Sequence, residues 1–245
     1  METRLQLIEK ERDVAINFAC ESGSRAWGFA SPDSDYDVRF LYTKPVPWYL
    51  SVSERRDTID IMDGDFDAVG WELRKSLILL KKSNIPALEH LFSPIIYRCE
   101  EDTLSELRAI ATDCFSPIAS MFHYLSMSKK YEEKIAVDTV KLKSLFYALR
   151  TAMAGKWILE CGTLPPVRFR EMLSLVTKDI ADEIEDLMCI KSKNSESYMH
   201  ARPEKVCDFI SEVIATNGKY AKTLSGGNPD TERINYFLYK AITVK

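Results

Sequence analysis

The sequence predicts an α+β protein, with a small mixed β-sheet domain over residues 1–112 and a helical domain over residues 113–245. Three observations predict it. Short alternating apolar runs bounded by Gly, Pro and Asp recur through the first hundred residues. From about residue 101 the strand signals largely vanish, and apolar residues repeat at helical spacing. The charge divides with them. Residues 1–114 carry 14 Lys and Arg against 21 Asp and Glu (−7), and residues 115–245 carry 19 against 16 (+3).

The elements follow in order. METRLQLIEKERD reads as a charged amphipathic helix and not as an export signal. VAINFACES (14–22) is short, apolar and closed by Gly23, so it reads as a strand. SPDSD is a turn, and YDVRFLYT (36–43) alternates aromatic and β-branched residues as a second strand. KPVPWYLS is a proline-punctuated connector. RRDTIDIM (55–62) alternates again, and DGD (63–65) turns the chain. VGWELRKSLILLKK (69–82) carries helical spacing, which places Trp71 between helix and sheet. PALEHLFS reads as a short helix, with Asn84 ending the helix before it and Glu89 in its own first turn, both in structural roles. PIIYR reads as a short strand. Beyond residue 101, segments such as DTVKLKSLFYALRTAMAGKWILE and PEKVCDFISEVIATN are helical, with breaks at 162–166 and 225–229.

Composition narrows the function. The chain has 46% hydrophobic and 29% charged residues and a net charge of −4. That is an ordinary globular balance and not that of a general nucleic-acid binder. No apolar run approaches the roughly 18 residues a membrane span needs, so no membrane partner is expected. The six cysteines are scattered without a CxxC pair and read as reduced thiols, mostly core filler, in a cytoplasmic protein. The three histidines are scattered too, which argues against zinc.

The chemistry concentrates in GSRAWGFASPDSDYDV (23–38). Asp33, Asp35 and Asp37 resemble the start of an EF-hand loop, but that loop needs Gly and Glu where Val38 and Lys44 stand. Asp35 and Asp37 enter a strand and are spaced by two, so they point to one face. Two carboxylates at a strand's mouth suit a divalent cation, because without one they repel each other. Gly23 lets the backbone turn and approach a ligand closely. Exposed N–H groups and the Ser24 hydroxyl can hold phosphate oxygens, and Arg25 can add a charge-assisted bond. Phosphate beside a carboxylate-held metal is the apparatus of phosphoryl or nucleotidyl transfer. Trp27 carries a ring that could stack on a base, although packing on the domain is the commoner fate of such a residue.

Gly-Ser, ten residues, then Asp-x-Asp resembles the signature of the DNA polymerase β nucleotidyltransferase superfamily. ESGSRAWGFASPDSDYDVRFLY, WYLS, DAVGWELRKSLILLKKSNIPALEHLFSPIIY and HYLSMSKKY…VKLKSLFYALRTAMAGKWI narrow the likeness to the YcgL-type, or RlaP-like, nucleotidyltransferases. It runs from about residue 14 to residue 170. The resemblance implies a polymerase β-like palm and two Mg²⁺ ions, with Mn²⁺ as an alternative, held by Asp35, Asp37 and a third carboxylate. Asp67, just ahead of Gly70-Trp71, is the choice for that third ligand, with Asp60 as runner-up. The helical region of such enzymes commonly contacts triphosphate and base. It offers Lys143, Tyr147 and Arg150, spaced i, i+4, i+7 beside an apolar face, as nucleotide contacts against the plain reading of a solvated stripe.

The implied reaction moves a nucleoside monophosphate from a nucleoside triphosphate to a hydroxyl. The family's proposed link to RNA repair suggests RNA as acceptor, and the oligomeric state is left open. One rival is an antitoxin-like nucleotidyltransferase acting on a protein partner. The other is a nucleotide-binding protein without catalysis, against which the full set of carboxylates argues.

Overall fold

The computed structural model describes residues 1–243. Helix α1 (Glu2–Arg12) leads into β1 (Ala15–Glu21), α2 (Gly23–Trp27), β2 (Tyr36–Thr43), α3 (Val46–Tyr49), β3 (Thr58–Asp63) and β4 (Phe66–Glu72). Then come α4 (Leu73–Lys81), α5 (Ile85–Leu91), β5 (Ile96–Cys99), α6 (Glu101–Cys114) and α7 (Pro117–Ile135). After β6 (Thr139–Lys141) follow α8 (Leu142–Cys161), a 3-10 turn at Phe169–Leu175, α9 (Lys178–Ser192), β7 (Met199–Ala201), α10 (Glu204–Tyr220) and α11 (Thr231–Thr243). The protein is thus α+β. Among the described residues no helix is long and apolar enough to cross a membrane.

The chain forms two compact units. The sheet unit comprises residues 1–26, 35–115 and the stretch from Asn228 onward; the helical unit comprises 27–34 and 116–227. The sequence reading drew a single boundary, at 112/113, whereas each of these units is assembled from separate segments.

In the sheet unit, five strands lie in the order β3-β4-β2-β1-β5. β2 and β4 run parallel, and the other pairs are antiparallel. Alternation decides the two faces. Val38, Phe40, Tyr42, Phe66 and Ala68 point to one face, where Leu5 and Ile8 of α1 close a core over them. Asp37, Arg39 and Leu41 therefore point to the other face, in register with Asp67, Val69 and Trp71.

Residues 69–72 correct the expected helix over 69–82, because they complete β4 and α4 begins only at Leu73. Gly70 hides the strand signal. A β-carbon there would stand 2.1 Å from the Phe40 ring, so the buried alternation 66, 68, 70, 72 has a gap where a side chain should be. Glu72 is fully buried and caps α4, accepting hydrogen bonds from the N–H groups of Arg74 (2.9 Å) and Lys75 (3.2 Å). Trp71 consequently sits on a strand, its ring 5.2 Å from that of His90. Asn84 caps α5 by accepting from the Ala87 N–H at 3.2 Å.

In the helical unit, α8 is the centre: Leu145, Phe146, Leu149 and Met153 are fully buried. The strand pair β6–β7 is an element the sequence reading did not expect beyond residue 101. Segment 27–34 joins this unit through Phe29, whose ring lies 5.1 Å from Phe146 and 5.8 Å from Phe169. All six cysteines are free, but Cys161 and Cys189 are exposed and Cys99 is half-buried, so core filling accounts for only Cys20, Cys114 and Cys207.

Gly70→Ala tests the strand assignment. The added methyl group meets a ring that is 1% exposed and has no room to move. The variant should lose about 1–3 kcal/mol of stability, seen as a lower urea midpoint at unchanged slope.

Candidate active site

Strand β1 ends at Glu21, and the Ser22 N–H still pairs with the Asp37 carbonyl at 2.8 Å. Gly23 then turns the chain with φ +59°. A β-carbon on Gly23 would stand 2.0 Å from Asp37 Oδ2, so only glycine lets this backbone lie against the carboxylate. Ser24 follows in the first turn of α2 and is buried.

Asp37 is held from three sides. Its N–H donates to Glu21 Oε1 at 2.7 Å. Glu21, which pairs with Val38 and shares its face, is fully buried and also accepts from the Tyr97 hydroxyl. In front, Asp37 and Asp67 are direct partners across β2 and β4. Arg39 lies between them, its Nη2 donating to Asp37 Oδ1 at 3.0 Å and to Asp67 Oδ2 at 2.9 Å. Its Nη1 donates to the carbonyls of Val38 and Asp67, both at 3.0 Å. Burial pushes the Asp37 carboxyl up to about 6; Arg39 opposes this, while Asp67 and Glu21 add to it.

Of the two candidates for the third carboxylate, Asp67 is the one brought beside Asp37. Asp60 pairs across the sheet with Val69, is exposed, and binds Arg56 at 2.5 Å. Asp35 lies just ahead of β2 and is exposed. Its carbonyl accepts from Arg25 Nε at 3.0 Å, and the Arg25 guanidinium sits 4.0 Å above the Tyr36 ring.

Among the described residues no group of three His, Cys, Asp or Glu side chains is arranged to hold a metal ion. The Asp37–Asp67 pair nevertheless fits a hard divalent cation by its chemistry. It offers carboxylate oxygens from two strands, in a setting whose burial, with Asp67 beside it, raises the Asp37 carboxyl, at a point where the fold already places a positive charge.

The other expected residues lie in the helical unit. Lys143 is exposed and pairs with Glu196 at 2.5 Å. Glu196 also accepts from Ser34 Oγ at 2.9 Å, and its N–H donates to Asp33 Oδ1 at 2.9 Å. Asp33 is thus a loop anchor. Tyr147 packs between Trp27, edge to face at 5.2 Å, and the tilted ring of Tyr131 at 5.0 Å. Arg150 is 3% exposed, its guanidinium 4.3 Å from the Trp27 ring centre. The expected stripe therefore runs from surface to interior, and Trp27 packs within its unit. Glu21, Arg39 and Tyr97 were not singled out in the sequence. An acid closing the apolar run NFACE and a base in phase with Asp35 and Asp37 were the signals available.

Comparison with known proteins gives the following similarities. A family model described as RlaP, RNA repair pathway DNA polymerase beta family, matches residues 1–240. The uncharacterized protein YcgL of Bacillus subtilis (strain 168) is 39% identical over 243 residues, covering 97% of this chain and 94% of that protein. The crystal structure of a nucleotidyltransferase-like protein from Exiguobacterium sibiricum aligns with 90% of this chain and 78% of its own, at 13% identity. Its TM-score is 0.31, too low to carry an argument about fold.

The raised Asp37 carboxyl makes a pH prediction. Its ordinary value is 3.8 and its folded value about 6, so the unfolded chain releases this proton first as pH rises. Asp37 therefore costs stability progressively from about pH 4 to 6, and fully above that window. Asp37→Asn should gain about 1–3 kcal/mol over wild type at pH 7 and nothing at pH 3.5. Urea denaturation of both proteins in EDTA across this range measures it. A difference that does not change with pH would show that Asp37 is not raised.

Proposed function

The chain belongs to the RlaP family, the RNA repair pathway DNA polymerase beta family, and on that premise we propose that it transfers a nucleoside monophosphate from a nucleoside triphosphate to an RNA hydroxyl in the cytoplasm. The observation that carries this reading is the Asp37 carboxylate, seated against Gly23 and paired in register with Asp67. It joins the Gly-Ser turn and the carboxylates in one place.

In this reading Asp35, Asp37 and Asp67 would hold Mg²⁺, two ions in all, with Mn²⁺ as an alternative. When bound, the metal supplies charge stabilisation at the reacting phosphate and lowers the pKa of the acceptor hydroxyl. The protein's own residues do the rest. The Gly23 turn and the Ser24 hydroxyl hold phosphate oxygens, and Arg25 fixes the approach to Asp35 through that residue's carbonyl. Arg39 orients Asp37 and Asp67 and offsets their mutual repulsion. Lys143 and Tyr147 are the nucleotide contacts proposed from the helical unit. Arg150 supports them from beneath Trp27.

Incubation with each α-³²P-labelled nucleoside triphosphate, Mg²⁺ and cellular RNA and protein tests the reaction. Label should appear on RNA. Asp37→Asn and Asp67→Asn should lower it by roughly 10²-fold or more, the scale on which a preorganised charged group acts, while Asp60→Asn stays within a few-fold of wild type. Label on protein would overturn the RNA acceptor, and no label at all would overturn the transferase reading. Lys143→Ala should weaken binding of the triphosphate by about 1–3 kcal/mol and leave binding of the nucleoside unchanged. Calorimetric titration with both ligands measures this, and equal losses would remove Lys143 from the site.

A further inference from the structure

We propose that the sheet unit pairs with a second copy of this chain through the outer edge of β3, joining two five-stranded sheets into one. β3 is an outer strand, with β4 on one side and, among the described residues, no strand on the other. Such an edge is a template for another strand.

The ladder with β4 decides which backbone groups the edge presents. The Glu72 N–H donates to the Asp57 carbonyl at 2.9 Å, in the register that the rest of β3 keeps. Hydrogen-bonded pairs of an antiparallel ladder recur at every second residue, so Ile59–Gly70, Ile61–Ala68 and Asp63–Phe66 are bonded pairs too. The N–H and C=O groups of Thr58, Asp60 and Met62 therefore point outward. An added antiparallel strand must bond these groups. Two copies related by a two-fold axis do so when Thr58 of each faces Asp60 of the other and Ile59 faces its twin on the axis.

The side chains match a second copy. Ile59 and Ile61 are half-buried at the margin of the core under α1, and Ile59 on its twin extends that core across the axis. The same register sets Arg55 opposite Asp63 of the second copy and Arg56 diagonal to Asp60 of the second copy; all four residues are exposed. A row of like charges would repel its copy. Here the bases stand just ahead of β3 and the acids toward its end, a pattern that is its own antiparallel complement. A register centred on Asp60 would instead set two carboxylates face to face. Met62, 71% exposed, comes to lie opposite Arg56 and is covered by its apolar stem.

Sedimentation velocity of the full chain over a range of concentrations tests the pairing. Wild type should pass from one chain to two as concentration rises, and a chain that stays monomeric up to about 100 μM would overturn the proposal. Asp60→Pro removes an N–H that points outward and no bond to β4, so it should raise the dimer dissociation constant at least about tenfold while unfolding stays cooperative. Arg55→Glu and Asp63→Arg should each weaken the dimer by about tenfold, because the two-fold axis repeats the change, and the double variant should restore it. A dimer undiminished in Asp60→Pro, or a double variant no tighter than the single ones, would overturn the pairing. If Asp60→Pro does not fold, the charge variants decide.

Discussion

Two carboxylates that repel each other are held side by side on one sheet face, and the sheet unit is organised around keeping them there. Asp37 and Asp67 come from strands β2 and β4, whose parallel register runs unbroken from Tyr36 opposite Phe66 to Tyr42 opposite Glu72. A slip of one residue would send Asp67 to the face that packs on α1 and bring Phe66 or Ala68 to the opposite face, in place of a carboxylate. The apolar core under α1 is therefore what fixes the acidic pair above it. Arg39 supplies the charge that makes the pairing tolerable, bonding both carboxylates and two backbone carbonyls. Behind the sheet, Glu21 holds the Asp37 backbone, and Tyr97 holds Glu21.

The Gly-Ser pair belongs to the same constraint. Gly23 is there because Asp37 leaves no space for a side chain, and its turn gives Ser24 its place. The ten residues up to Asp35 are mostly not a phosphate loop. Residues 27–34 belong to the helical unit, anchored by Phe29 on Phe146 and Phe169 and by Asp33 and Ser34 on Glu196. The fixed spacing of the motif thus reflects an anchored excursion of the chain, and Asp33 takes part in anchoring it.

How much of this was legible in the sequence depended on whether a signal was local. β1 was readable as a short apolar run closed by Gly23, and β2 by an alternation that ends ahead of Pro45. Gly23 and Asp37, which lie against each other, were readable by spacing. β4 was not, because Gly70 leaves a gap in the apolar pattern and Val69, Trp71, Leu73 and Leu77 suit a helix equally well. Asp67 came from resemblance, since five acids between residues 57 and 67 are locally equivalent and only the pairing with β2 distinguishes one. Arg39 was hidden for a related reason. A base in a strand ordinarily points to solvent, and its partner Asp67 lies 28 residues away. The place of α11 in the sheet unit was unreadable because an amphipathic helix declares that it packs, but not on what.

The bulge at Asn17 ties the two ends of the sheet together. With strict alternation from Ile16 onward, Phe18 would face α1 and Glu21 would stand on the same face as Asp37, adding a third negative charge directly beside the pair. The extra residue reverses that phase. Phe18 now pairs with Leu41 on the face opposite α1, Ala19 joins the core under α1, and Glu21 pairs with Val38 behind the acidic pair, where it binds a backbone N–H instead of crowding the carboxylates. One inserted residue therefore does two things. It moves Glu21 from rival to support at the candidate active site, and at the other end of the strand it leaves Asn17 Oδ1 buried without a hydrogen-bond partner among the described residues. Removing Asn17 to restore a regular strand would relieve that unpaired oxygen only by returning Glu21 to the face of the acidic pair.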